Sequence, residues 1–160
     1  MVHGYKKDSI MKKYITLLFS AIMLFCLTGC KEDKPEVAKG LAGEWKLSTW
    51  NNEAAAFDVY MELGEDGSFN LYQKVQTLSY EHFKGSFESK GGVLNGTYED
   101  GIAWSGSYRY ELSADGNTLS LASTASFPVT STYVRTQIPS EVREAATTKS
   151  SVMDSPFRAL

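Results

Sequence analysis

From Leu41 to Thr136 apolar side chains recur at every second position, in short runs broken by glycine, asparagine and aspartate. A period of two marks strands with one buried face, whereas a helix repeats about every 3.6 residues. "EWKLSTW" places Trp45, Leu47 and Thr49 on one face. "FDVYMEL" sets Phe57, Val59, Met61 and Leu63 against Asp58, Tyr60 and Glu62, and "SFNLYQKV" sets Phe69, Leu71 and Gln73 against Asn70, Tyr72 and Lys74. "YEHFKGSFES" groups Phe83, Gly85 and Phe87, and "VLNGTYE" groups Leu94, Gly96 and Tyr98. "AWSGSYRYEL" lines up Trp104, Gly106, Tyr108, Tyr110 and Leu112, and "TLSLAS" and "VTSTYVRT" complete a set of eight. "GEDG", "KGG", "EDG" and "ADGN" supply the turns, where glycine accepts a positive φ.

The predicted class is all-β. Eight hairpin-linked strands with no helix between them favour an up-and-down antiparallel meander, and closing it into a barrel removes both exposed edges. Such a barrel has an interior that side chains fill or one small ligand occupies. Four strands repeat glycine, hydroxyl, aromatic: Gly67-Ser68-Phe69, Gly85-Ser86-Phe87, Gly96-Thr97-Tyr98 and Gly106-Ser107-Tyr108. A glycine there lets a strand bend and leaves room for a neighbouring ring. Asn95 heads an N-glycosylation sequon but reads as strand and turn. After the last strand, "IPSEVREAA" predicts a short helix, with Pro139 in its first turn, Ser140 as cap, and Ile138, Val142, Ala145 and Ala146 facing the barrel. The polar, aperiodic remainder reads as a loose tail, in which Phe157 and Leu160 are the residues suited to docking.

The N-terminal region has a different pattern. Lys12 and Lys13 precede an uncharged apolar tract, Ile15 to Leu27, too short for a comfortable membrane span of about 20 residues. Charge, apolar tract and small residues in that order describe a secretory signal. Met11 is the natural start, and 1–10 reads as upstream sequence. Leu27-Thr28-Gly29-Cys30 resembles the bacterial lipoprotein signal, the lipobox. That resemblance implies diacylglycerol on the Cys30 thiol, cleavage before Cys30 and acylation of the new amino terminus. An ordinary signal peptide with an incidental cysteine is the alternative. Cys26 would leave with the tract, so Cys30 would be the one cysteine remaining and no internal disulfide would form. Lys31-Glu32-Asp33 resembles a charged signal for surface export in Bacteroidetes-type bacteria; a solvated tether is the plainer reading. The expected organisation is a signal peptide over 1–29, a lipidated cysteine and flexible tether over 30–40, a barrel over 41–138, and a helix and tail over 139–160.

"LAGEWKL" resembles the first-strand G-x-W motif of lipocalins (Gly43, Glu44, Trp45), and "YVRT" resembles the last-strand region that carries their arginine, here Arg135. The wider pattern, Leu41 to Val142, is similar to the lipocalin-like domains of Bacteroidetes lipoproteins. The resemblance implies that Arg135 stacks on Trp45 and closes one end of the barrel, a structural role. The middle T-D-x-x-Y motif of standard lipocalins is missing, so their receptor contacts are not carried over.

Charge narrows the function classes. The chain carries a net −3; the leader removes four lysines and one aspartate and leaves −6. A negative chain without a basic cluster does not fit nucleic-acid binding. His82 is the one histidine left after processing, so neither a zinc site nor a Ser-His-Asp arrangement finds its partners. Carboxylates such as Glu62, Glu65, Asp66, Glu81, Glu88, Glu99 and Asp100 lie mostly in turns or on polar strand faces. No enzyme, metal or cofactor is expected. The aromatic residues differ: Tyr98, Trp104, Tyr108 and Tyr110 are candidates to line a cup for a small hydrophobic or amphipathic ligand, with a packed core as the alternative. Two functions follow. One is a monomeric barrel attached to the outer membrane through its lipid anchor, on the periplasmic side or the surface, holding such a ligand. The other is a protein–protein or scaffold module of an envelope complex.

Overall fold

The structure, a computed structural model, describes residues 35–148 and 157–160. The signal peptide, Met11, Cys30 and the Lys31–Asp33 run lie outside the described residues. Among the described residues the strands are β1 (Gly43–Trp50), β2 (Glu53–Ala54), β3 (Asp58–Leu63), β4 (Ser68–Lys74), β5 (Glu81–Lys90), β6 (Val93–Tyr98), β7 (Tyr108–Leu112), β8 (Thr118–Ser123), β9 (Thr130–Arg135) and β10 (Thr147–Thr148). Helix α1 is Ser140–Ala145.

Eight strands pair in chain order from β1 through β3 to β9, and β9 returns to β1 through Trp45↔Arg135 and Leu47↔Tyr133. The sheet is therefore a closed up-and-down antiparallel barrel. β2 is a two-residue return on β1 across Asn51 and Asn52, both at positive φ. β10 runs parallel to Glu81 and His82, where β5 extends past its pairing with β6.

Alternation decides which face is buried. Trp45 and Leu47, Val59, Met61 and Leu63, Phe69 and Leu71, Phe83 and Phe87, and Leu119 and Leu121 all point into one core. The turns obey local chemistry. Gly91 and Gly92 both take positive φ between the paired Lys90 and Val93, the backbone of a tight two-residue hairpin. At the β3–β4 turn, Asp66 Oδ1 accepts bonds from the Ser68 amide at 2.9 Å and the Ser68 hydroxyl at 2.6 Å.

The repeated glycine motif separates into distinct roles. A Cβ on Gly85 would lie 2.7 Å from the Phe69 ring, and one on Gly96 would lie 2.1 Å from Trp104. Gly96 makes space for a ring, whereas Gly85 first of all lets β6 approach, because its Cβ would lie 2.1 Å from the Thr97 carbonyl oxygen as well as against Phe69. Gly67 instead holds a positive-φ turn, and Gly106 faces open space.

α1 covers part of the outer surface. Ile138, Val142 and Ala146 pack on Tyr60 and Tyr72, which point away from the barrel interior. Ala145, expected on that stripe, is exposed; it is the last residue of a six-residue helix and sits at the edge of the covered face. Pro139 occupies the cap position and no side chain caps the helix. Arg143 holds the helix down through Glu44 at 2.8 Å and Glu62 at 3.0 Å, and the Ile138 amide donates to Glu44.

Candidate binding site at the open end of the barrel

The two ends of the barrel differ in chemistry. At one end, Arg135 Cζ lies 4.1 Å from the Trp45 ring centroid, a cation–π stack. Its guanidinium donates to the carbonyls of Gly116, Ala42 and Gly40 at 2.9, 3.0 and 2.7 Å. Gly43 is required there, since a Cβ would fall 2.0 Å from Arg135 Nη1. Trp45 Nε1 donates to the Leu41 carbonyl at 3.0 Å, and Leu41 is fully buried. The segment before it, expected as tether, lies along the barrel at 35–40. The Ser89 amide donates to the Glu36 carbonyl at 2.6 Å, and the Ala38 amide donates to Ser89 Oγ at 2.5 Å. This end is shut.

The other end holds a cavity of about 630 Å³. Trp50 of β1, Tyr98 of β6, Tyr108 of β7, Ser123 of β8, and Phe127 and Val129 before β9 all reach its wall. It forms because β6 and β7 pair at only two positions, Val93↔Arg109 and Leu94↔Tyr108. The chain then turns back on β6: the Tyr98 amide donates to the Ile102 carbonyl at 2.8 Å and the Trp104 amide donates to the Gly96 carbonyl at 2.9 Å. The strand expected from Ala103 therefore begins only at Tyr108. Ile102, Ala103, Ser105 and Gly106 become a wall beside the gap.

The four aromatic candidates divide. Tyr98 and Tyr108 line the cavity. Burial pushes both phenols above their ordinary pKa, so both are neutral hydrogen-bonding groups at pH 7. The Tyr108 and Ser105 hydroxyls meet at 2.8 Å. Trp104 is not in the cavity wall. It lies over Gly96, parallel to Phe87 at 6.4 Å and edge-on to Phe69 at 5.2 Å, with Nε1 buried and unpartnered. Tyr110 packs half-buried against the core, away from the wall.

His82 faces outward beside α1. Its ring stacks on Tyr72 at 4.5 Å, and Nε2 lies 2.8 Å from Asn70 Oδ1. Burial, with help from Lys84 and Arg143, lowers its pKa.

The residues missing from the sequence-based site are Trp50, Gln73, Asp100 and the segment Phe157–Leu160. Ala159 and Leu160 are buried, and this segment forms one side of the cavity. Gln73 carries a sequence signal, as a polar residue at an inward position of an apolar stripe, and so do Phe157 and Leu160, the apolar tail residues suited to docking. Among the described residues no three His, Cys, Asp or Glu side chains gather as a metal site.

A closed eight-stranded antiparallel barrel with one stacked, shut end and one cupped end defines a class of small barrel proteins. Residues 41–121 match the family model described as a lipocalin-like domain, and the chain belongs to that family. Among solved structures it is similar to a lipocalin-like protein from Bacteroides uniformis ATCC 8492, at 15% identity over 61% of this chain and 99% of that one, with a TM-score of 0.47. It is also similar to an uncharacterized protein from Bacteroides eggerthii DSM 20697, at 15% identity over 59% and 98%, with a TM-score of 0.45. No curated protein matches the sequence.

Proposed function

We propose that this chain is a lipid-anchored protein of the cell envelope whose barrel binds a small apolar or amphipathic molecule at its open end, without catalysing a reaction. The cavity carries the reading. Its volume of about 630 Å³ lies within the usual range for small-ligand sites, and aromatic and aliphatic walls with a few hydroxyls are their usual lining. The anchor rests on the lipobox-like Leu27–Cys30. Trp50 in the wall provides a reporter. Titration of the purified protein with neutral isoprenoids, fatty acids and cationic amphiphiles should give a saturable change in tryptophan emission that Trp50→Phe diminishes. A folded protein that responds to none of them refutes the ligand reading. Palmitate labelling tests the anchor: wild type should label and Cys30→Ser should not, and equal labelling refutes it.

A second reading has its own observation. Leu78 and Phe127, 96% and 92% exposed, stand on the two loops that rise from the open end, β4–β5 and β8–β9. Bare apolar side chains on two loops of the same rim, one on each side of the opening, suit a protein partner. Mild crosslinking of intact cells should then trap one defined partner through these loops, and a clean monomer counts against it.

A further inference from the structure

The segment Phe157–Leu160 sits in the open end as a ligand would. The Phe157 ring packs edge-on against Trp50 at 6.4 Å and Phe57 at 6.5 Å. The primary amide of Gln73, itself 1% exposed, reads the main chain on both sides of Arg158. Gln73 Nε2 donates to the Phe157 carbonyl at 2.8 Å, and Gln73 Oε1 accepts from the Ala159 amide at 3.0 Å. This is the two-point pairing that a neighbouring strand offers an extended chain, and it is independent of side-chain identity.

Side-chain selectivity comes from Arg158. Its guanidinium meets Asp100 in two parallel bonds, Nη1 to Oδ1 at 3.2 Å and Nη2 to Oδ2 at 2.5 Å. The same group lies 4.3 Å from the Tyr98 ring centroid and 5.0 Å from that of Phe83. Both charged side chains are nearly buried, at 10% and 8% exposure. A planar cation between two ring faces, opposite a carboxylate, is a site for guanidinium chemistry. Beyond it, Tyr98 Oη donates to the Leu160 main-chain oxygen at 2.9 Å, and the Leu160 side chain enters the core.

We propose that the open end is a peptide-binding site for an extended segment bearing an aromatic, a cationic, a small and an aliphatic side chain in that order, and that Phe157–Leu160 is its internal occupant. The proposal rests on the open end being a binding site and names its ligand class. A fatty acid fits poorly: its carboxylate would replace the cation facing Asp100, leaving a nearly buried charge opposed by another. While the segment is docked, an outside peptide competing for the same seat sees only the small fraction of molecules whose seat is free, and its apparent affinity falls by that fraction.

The test uses the full chain. Arg158→Asp sets two carboxylates against each other and should release the segment while leaving Gln73, Tyr98 and Asp100 in place. By fluorescence anisotropy, a labelled acetyl-Phe-Arg-Ala-Leu peptide should bind this variant at least about tenfold more tightly than wild type. Acetyl-Phe-Glu-Ala-Leu should not bind, and Asp100→Arg/Arg158→Asp, which rebuilds the pair, should return the arginine peptide to weak binding. Arg158→Gln serves the same purpose if the aspartate variant fails to fold. Equal affinity for wild type and the opened variant, or equal binding of the two peptides, overturns the proposal. So does a wild-type dimer that Arg158→Asp dissociates, because the segment would then dock between copies. If neutral isoprenoids or fatty acids bind the opened variant and the arginine peptide does not, the peptide class falls and the open-end reading stands. If nothing binds a folded variant, both fall.

Discussion

Replacing Gly96 with alanine adds one methyl group at the most crowded point beneath Trp104. The new Cβ would lie 2.1 Å from Trp104 Cε2 and 2.5 Å from Cδ2 and Cζ2. An indole cannot swing aside as a lysine can. Phe87 lies parallel to it, and Phe69 and Tyr108 meet it edge-on at 5.2 and 6.1 Å. Overpacking of this kind costs about 1–3 kcal/mol. Against it stands the stiffer unfolded chain, which favours alanine over glycine by about 0.4–1 kcal/mol where the backbone permits it. The net expectation is a loss of about 1–2 kcal/mol, or a fall in Tm of about 4–8 °C for a domain of this size. Gly106 is the control: it heads the same glycine–hydroxyl–aromatic motif but a Cβ there meets nothing within 4 Å. Gly106→Ala should be neutral or slightly stabilising. Urea and thermal unfolding followed by circular dichroism would measure both. In a Trp104→Leu background, Gly96→Ala should cost less than it does in wild type, because the ring it strikes is gone. If Gly96→Ala is as stable as wild type, or both glycine variants lose equally, the packing argument is wrong.

Three further outcomes can be checked. Arg135→Ala removes the Trp45 stack and three carbonyl partners and should cost about 2–4 kcal/mol in urea unfolding, and Arg135→Lys should recover little because an ammonium lacks the planar fork. His82 has a lowered pKa, so below its unfolded value of about 6.5 the unfolded chain binds more protons than the folded one; stability should fall as pH drops from about 7 to 5, and His82→Gln should flatten that slope. Arg143→Ala breaks two ion pairs whose partners are about one-third exposed, so the loss should stay under about 1 kcal/mol and shrink further in high salt.

The barrel is legible in the sequence because every strand has one buried face. Val59, Met61 and Leu63 alternate with side chains that face outward, and a one-residue slip would expose all three. Tyr60 and Tyr72 show how that reading runs short: they face away from the core yet are buried, because α1 lies over them. Trp104 and Tyr108 do point inward, but parity cannot say that the β6–β7 seam opens between them. The opening depends on the backbone of residues 102–104 bonding back to β6 in place of β7. The site partners were hidden for a different reason. Gln73 meets Phe157 and Ala159 across more than eighty residues, and Asp100 meets Arg158 across fifty-eight. A tail without periodicity gives no local sign of such pairing: it reads as loose, with Phe157 and Leu160 singled out for docking only because they are apolar, and nothing marks Arg158 or the buried Ala159.

The central claim is that the open end of the barrel is a binding site. Amide and aromatic NMR shifts of the Arg158→Asp chain, recorded during titration with whichever probe binds, test it most directly. Changes should concentrate at Trp50, Gln73, Tyr98, Asp100 and Tyr108, with the Trp45–Arg135 end and α1 unmoved. Changes centred on α1 or on the Arg135 end, with the open end silent, would contradict it.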